Sequence, residues 1–160
     1  MYEIEQKFQY KKIPFEDLQC RRHTVIYRKY ISICPEIRIN RRCFDSGEER
    51  YNLTIKDDSK LKRTEVKVKL EKEQYEIISS MILKDDLVFD IYEFDLDEKH
   101  LISFKAGRNV DVRFAEVEYE TMKDYELYSK VVENLPFIST EVTYDNNYYM
   151  KNIWERIYGR

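Results

Sequence analysis

MYEIEQK, residues 1–7, places Glu3, Glu5 and Lys7 at every second position. Tyr2, Ile4 and Phe8 fall in the opposite phase, which Gln6 interrupts. Successive side chains of a strand point to opposite faces, so the charges share one face and most of the apolar groups share the other. Taken alone, this is an ordinary half-buried surface strand. The same phase returns in RTEVKVKL (63–70) and in AEVEYE (115–120). Several strands of this kind enclose a charged cavity when their sheet curls, and their apolar faces then pack against helices. Such a cavity suits a polyanion held together with a divalent metal.

Working outward, HTVIYRKYI is rich in β-branched and aromatic residues and predicts a strand over Thr24 to Ser32, broken by Pro35. EIRINRR (36–42) alternates Ile37 and Ile39 with Arg38, Asn40 and Arg42. Gly47 marks the bend within DSGEER, and YNLTIK (51–56) and LKRTEVKVKL (61–70) flank a DDSK turn as a hairpin. In the second of these, Thr64, Val66, Val68 and Leu70 oppose Arg63, Glu65, Lys67 and Lys69. A helix is predicted from Lys72 to Leu83, with Tyr75, Ile78, Met81 and Ile82 at spacings of three and four. VFDIYEFDL (88–96), KHLISFKAG (99–107) and VRFAEVEYE (112–120) read as strands. A helix follows over 121–135, with Thr121 as N-cap, Asp124 at the third position and a stripe of Tyr125, Tyr128, Val132 and Leu135. TEVTYD (140–145) reads as a short strand or a tight loop. A last helix over Asn147 to Ile157 is expected to bury Met150, Ile153, Trp154 and Ile157. A short helix over Phe15 to Gln19, opened by Pro14, is also expected.

About eight strands joined mostly by short turns, with two or three helices, make a mainly β, α+β fold with an antiparallel or mixed sheet. Closure into a barrel removes the sheet edges. With 160 residues, no linker and no internal repeat, a single domain over 1–160 is expected. The chain is 42% hydrophobic and 37% charged, which excludes a disordered chain. The net charge of −3 neither requires nor excludes a nucleic-acid partner. Three cysteines without a Cys-x-x-Cys pair argue against a disulfide framework, and two histidines provide no zinc set. No apolar run approaches 18 residues, so no membrane partner is expected and a cytoplasmic location is the reading.

The residues in the charged phase are Glu3, Glu5, Lys7, Arg38, Arg42, Lys56, Arg63, Glu65, Lys67, Glu116, Glu118 and Glu141. Arginine forks and lysine ammoniums neutralise phosphate oxygens. Carboxylates approach those oxygens usefully only through a cation, so the glutamates imply Mg²⁺ or Mn²⁺. The competing reading is solvated strand faces with cross-strand salt bridges.

These residues resemble the motifs of the CYTH superfamily, the triphosphate tunnel metalloenzymes. Its opening E-x-E-x-K stands here as Glu3-Ile4-Glu5-Gln6-Lys7. PEIRINRR resembles its paired-basic block, and Leu53 to Lys56 its L-T-x-K block. Arg63-Thr64-Glu65-Val66-Lys67 approaches R-x-E-x-E. Ala115 to Glu118 is A-E-V-E, and Glu141 to Asp145 is E-V-T-x-D, followed by an aromatic pair and Asn152. Order and spacing agree over nearly the whole chain.

The resemblance implies an eight-stranded antiparallel β-barrel forming a charged tunnel. It further implies hydrolysis of a triphosphate compound (inorganic, nucleoside or thiamine triphosphate). Glu3, Glu5, Glu116 and Glu118, with Glu141 as a fifth candidate, would hold metal. Lys7, Arg38, Lys56 and Arg63 would bind phosphate, joined by the candidates Arg42 and Lys67. Lys7, Lys56 and Glu5 are the candidate catalytic residues. The alternatives are a nucleotide- or polyphosphate-binding module with weak catalysis, and an adenylate cyclase of the class IV type. The partner is a small triphosphate or polyphosphate. No nucleic acid is expected except a 5′-triphosphate end, and a homodimer is compatible with the sequence.

The chain departs from the family pattern in three places. Asn40 stands where a second arginine is usual, with Arg42 in phase to compensate. Lys67 replaces a glutamate. Between Leu87 and Gly107 the usual Lys-x-Arg strand is absent: Asp90 and Tyr92 stand near its place, and Ser103 stands near the usual acid. Lys105, Arg108 and Arg113 are candidate substitutes.

Overall fold

The computed structural model describes residues 1–159. Its strands and helices run in the order β1 (Tyr2–Tyr10), β2 (Cys20–Ser32), β3 (Glu36–Phe44), β4 (Glu49–Lys56), β5 (Lys62–Leu70), α1 (Lys72–Met81), β6 (Leu87–Asp95), β7 (Leu101–Gly107), β8 (Arg113–Tyr119), α2 (Met122–Val132), β9 (Ile138–Glu141) and α3 (Met150–Tyr158).

Eight strands close a barrel in the order β5-β4-β3-β2-β6-β7-β8-β1, and β1 returns to β5. Every pairing is antiparallel. The closing seam is short, with Tyr2 opposite Thr64 and Ile4 opposite Lys62. Beyond it β5 diverges, and β9 takes over the same edge of β1 with Phe8 opposite Glu141 and Tyr10 opposite Ile138. Backbone groups of β1 that would otherwise be left open are thereby paired.

The alternating phase becomes inside and outside. Glu3, Glu5 and Lys7 face the interior, while Ile4, Phe8 and Tyr10 join an outer core with Phe94, Ile102, Phe104, Val117, Val132 and Phe137. α2 supplies Val132 to this core. Its N-cap is Thr121, whose hydroxyl accepts from the Asp124 N–H at 3.0 Å. A second cluster packs Tyr75 of α1 against Ile39, Tyr51 and Leu70. α1 opens with a capping box between Glu71 and Gln74. The third cluster differs in kind. Met150, Ile153 and Trp154 of α3 pack against Ile26, Tyr30, Ile91 and Phe114 of β2, β6 and β8, so α3 closes one end of the barrel with apolar groups.

Gly47 sits at φ +88° in the turn between β3 and β4, a conformation favoured by glycine. Gly107 is required for a different reason. A Cβ there would lie 1.8 Å from the Val110 carbonyl oxygen in the β7–β8 connection.

Several local expectations change. Residues 15–18 form turns and a bend instead of a short helix, held by Leu18 N–H donating to Pro14 O at 2.9 Å. Too few residues follow Pro14 to propagate a nucleated helix. α1 buries only Tyr75, and Met81 is exposed. TEVTYD divides: Thr140 and Glu141 end β9, and Val142 onward turns into a 3-10 segment (Asn146–Tyr148) capped by Asp145. In α3, Ile157 points away from the barrel end and is half exposed. Among the described residues, no helix is long and apolar enough to cross a membrane.

Candidate active site

All eight barrel strands contribute to one cavity of about 560 Å³. Nine cationic and eight acidic side chains line it. They are interleaved. Lys7 Nζ lies 3.2 Å from Glu5 and 2.6 Å from Glu116. Lys56 lies 2.6 Å from Glu3 and 3.2 Å from Glu65. Glu36 lies between Arg38 at 2.8 Å and Arg63 at 2.9 Å. Lys105 reaches Glu116 at 2.9 Å. Buried ions are costly unless paired and hydrogen-bonded, and here most are paired.

The barrel register explains these meetings. Lys7 stands directly opposite Glu116, Glu5 opposite Glu118, and Glu3 opposite Arg63. Cross-strand partners share a face, so the E-x-E-x-K and A-E-V-E blocks meet inside the barrel. Two aromatic rings hold the Lys7 ammonium, Phe114 and Tyr149, each with its centroid 4.6 Å away. The Tyr149 hydroxyl donates to the Thr143 carbonyl at 2.6 Å, and the Thr143 hydroxyl oxygen accepts from the Lys7 N–H at 3.0 Å. The segment leading into α3 therefore braces the end of β1.

Carboxylate oxygens of Glu3, Glu5 and Glu118 lie within 4.8 Å of one another. This cluster can coordinate a divalent metal, being an all-oxygen, triply acidic donor set. Burial, then the Glu116 carboxylate, pushes the Glu5 carboxyl up to about 8. Burial, then Glu3, pushes Glu118 up to about 7. Its carboxylate opens to the cavity yet is encircled by protein. Burial opposes ionisation of Glu116 as well, but Lys105 and Lys7 outweigh it and hold that carboxyl well below its ordinary value. At Glu36 burial is likewise outweighed, by Arg38 and Arg63, and the carboxyl is lowered. Burial lowers Lys105 to about 8, against the attraction of Glu116. Two kinds of carboxylate result: Glu116 and Glu36 are satisfied by protein cations, while Glu5 and Glu118 lack sufficient positive charge.

The remaining sequence candidates separate. Arg38, Lys56, Arg63, Glu65 and Lys67 line the cavity as their phase predicts. Arg42 lines its other end, donating to Thr24 Oγ1 at 3.1 Å and lying 3.4 Å from Glu93. Glu141 lies outside the cavity: it pairs opposite Phe8, an outer-core residue, and accepts from the Thr143 hydroxyl at 2.7 Å. Its motif lies where β9 departs from the barrel, so strand phase does not carry it inward.

Across Leu87 to Gly107, the inward residues are Ile91, Glu93, Leu101, Ser103 and Lys105. Asp90 and Tyr92 face outward. Asp90 accepts from Arg108 Nε and Nη2, each at 2.9 Å, and lies 2.6 Å from His23 Nε2, while Tyr92 stacks on His23. Arg108 is thereby committed outside the barrel. Arg113 is also outside, donating to the Lys11 carbonyl at 3.3 Å. Lys105 alone among those three substitutes enters the cavity.

Sequence reasoning missed Arg28, Glu36, Glu93 and Tyr149. Arg28 and Glu36 do share the inward phase of their strands, a usable signal. Tyr149 carries no phase signal, because it belongs to the connection before α3; its one trace in the sequence is the aromatic pair after the E-V-T-x-D block.

No protein-family model matches the sequence, and no curated protein matches it. Solved structures match the fold. The PH1819 protein from Pyrococcus horikoshii OT3 is 19% identical, with 97% of this chain and 98% of that chain covered and a TM-score of 0.66. The inorganic triphosphatase NE1496 is 19% identical, with 95% of this chain and 94% of that chain covered and a TM-score of 0.60. A conserved hypothetical protein from Pyrococcus furiosus is 18% identical, with 82% and 86% covered and a TM-score of 0.56. Likeness at these identities establishes a shared fold.

Proposed function

We propose that this chain is a metal-dependent triphosphatase of the tunnel type. It hydrolyses a small triphosphate (inorganic, nucleoside or thiamine) within the barrel, with Mg²⁺ or Mn²⁺ on Glu3, Glu5 and Glu118. The observation that carries this reading is the cluster of those three carboxylates beside Lys7 and Lys56, in one cavity where cations and glutamates alternate. The fold it shares with a protein described as an inorganic triphosphatase supports the same reading.

The charge pattern suits a triphosphate and poorly suits a neutral ligand. In the free protein Lys7 and Lys56 are each held by two glutamates. Glu3, Glu5 and Glu118 would hold a divalent cation, which would supply positive charge for phosphate oxygens and a polarised water. Lys7 and Lys56 would exchange part of their carboxylate contact for phosphate oxygens. Arg38 and Arg63, fixed by their shared Glu36, present guanidiniums to the same chain of phosphates. Lys7, clamped between Phe114 and Tyr149, is placed to polarise the attacked phosphoryl group. Glu116 stays ionised between Lys7 and Lys105 and keeps both ammoniums in place.

Steady phosphate release from tripolyphosphate or a nucleoside triphosphate, dependent on added Mg²⁺ or Mn²⁺, tests this function. Release of no phosphate from any triphosphate contradicts it. Binding without turnover is a second reading. It is favoured by the neutral residues Ile91, Leu101 and Ser103 on β6 and β7, and it predicts calorimetric binding of tripolyphosphate without phosphate release.

A further inference from the structure

We propose that Arg28 on β2 is a phosphate-binding residue that supplies the positive charge missing at Asn40, and that with Tyr30 and Arg38 it forms an anion pocket near the α3-closed end of the cavity. This inference rests on the polyanion-binding reading of the cavity.

Five cations lining the cavity are buried: Lys7, Arg28, Lys56, Arg63 and Lys105. Four of them contact glutamate. Arg28, 4% exposed, has no carboxylate within ion-pair distance among the described residues. Its Nε donates to Asn40 Oδ1 at 2.7 Å, and Nη1 meets the Met150 sulfur at 3.4 Å, a weak acceptor. The Phe89 ring centroid lies 5.0 Å away. A buried guanidinium with five N–H donors is left without an anion.

Two neighbours add hydrogen-bonding capacity that protein acceptors leave unused. The Tyr30 hydroxyl, buried beside the Arg28 and Arg38 guanidiniums, makes no well-formed hydrogen bond, and Arg38 Nε makes none while its Nη1 donates to Glu36. Tyr30 and Arg38 are cross-strand partners, as are Arg28 and Asn40, so the two pairs stand side by side on β2 and β3. All four side chains line the cavity. Two guanidiniums with N–H donors to spare and one hydroxyl between them, facing one volume, describe a site for an anion that accepts several hydrogen bonds. A phosphoryl group does so.

Asn40 acts as a positioning residue. Its carbonyl oxygen accepts from Arg28, and its amide donates to Asn52 Oδ1 at 3.1 Å. Asn52 Oδ1 also accepts from the Thr54 hydroxyl at 3.3 Å. This polar relay across β3 and β4 fixes the guanidinium from behind. The charge absent from β3 is moved one strand over, into the same volume.

Arg28→Met removes the charge and keeps an unbranched apolar chain. Calorimetry with tripolyphosphate and Mg²⁺ is expected to show Kd weakened about ten- to hundredfold. The melting temperature of the unliganded variant is expected to stay level or rise, because an unpaired buried charge is gone. The double variant Arg28→Asn with Asn40→Arg, which exchanges the cross-strand partners, is expected to regain most of the affinity. Thermal stabilisation by inorganic phosphate in metal-free buffer reads the pocket without hydrolysis and is expected to be lost in Arg28→Met. Wild-type tripolyphosphate affinity and wild-type phosphate stabilisation in Arg28→Met would overturn the proposal, even where the native protein turns over triphosphate. Native protein that releases no phosphate, yet is stabilised by phosphate through Arg28, would remove the hydrolytic function and leave the pocket. Native protein neither stabilised by phosphate nor able to bind tripolyphosphate would remove both.

Discussion

The cavity has two unlike walls. On β1, β3, β4 and β5 the half-buried or buried cavity cations Lys7, Arg38, Arg42, Lys56 and Arg63 are each in contact with a glutamate, Arg42 with Glu93 of β6. On β2, β6 and β7 the inward residues include Ile26, Ile91, Leu101 and Ser103, with charge concentrated at Arg28, Glu93 and Lys105. The first wall is a set of cations held ready by their own counter-ions. The second is sparse, and its Arg28 is unpaired. In a closed barrel opposite strands serve one volume, so a charge can move between strands and still reach the same ligand. What must be kept is the inward phase, and the position along the chain is freer.

Replacement on the dense wall is expected to have the largest effect. Lys56→Met should lower phosphate release by about two orders of magnitude or more. It should also lower thermal stability, because Glu3 and Glu65 lose their shared cation. On the sparse wall, Lys105→Met should cost about tenfold in kcat/KM, the loss of one charge-assisted contact. Equal effects of the two substitutions would erase the distinction between the walls.

A pH scan sharpens the comparison from the metal side. The carboxyls of Glu5 and Glu118 are raised to about 8 and about 7. A carboxyl whose folded value lies above its unfolded value binds more protons in the folded state across that interval. Its stabilising effect is complete below about 4.5 and is lost as pH rises through about 7 to 8. Metal-free protein should therefore melt several degrees lower at pH 8.5 than at pH 5.5, and Mg²⁺ or Mn²⁺ should bind more tightly at the higher pH and restore stability there. Differential scanning calorimetry with and without metal measures both. The smallest effects belong to Arg42, whose guanidinium is held by β2 and β6, and to Glu141 outside the cavity. Arg42→Ala should change kcat/KM by less than about threefold, since Glu93 and Thr24 already occupy that guanidinium. Glu141→Gln should leave metal affinity unchanged, because Glu141 faces the outer core.

Much of this arrangement is written in the strand phase. Glu3-x-Glu5-x-Lys7 and Glu116-x-Glu118 state which side chains share a face, and register makes them meet. Phase is less informative where regular pairing ends. Glu141 sits at the end of β9, and Tyr149 in a connection, so alternation places neither. Arg28 is hidden for a different reason. Its in-phase neighbours Ile26 and Tyr30 make β2 read as an apolar strand, and the adjacent Lys29 makes the pair look like a basic surface patch. Its inward phase is the one trace in the sequence, and the partnership with Asn40 across the strands supplies the rest. Alternation with Ile91 and Glu93 turns Asp90 outward, and there it meets His23 and Arg108 from separate elements.

The most direct test measures phosphate release from tripolyphosphate, thiamine triphosphate and the four nucleoside triphosphates with Mg²⁺ and with Mn²⁺, beside a folded Glu5→Gln control. The account predicts metal-dependent turnover of at least one of them by the native protein, reduced by about two orders of magnitude or more in the control. Silence of the native protein across the whole panel, or turnover that Glu5→Gln leaves intact, would contradict it.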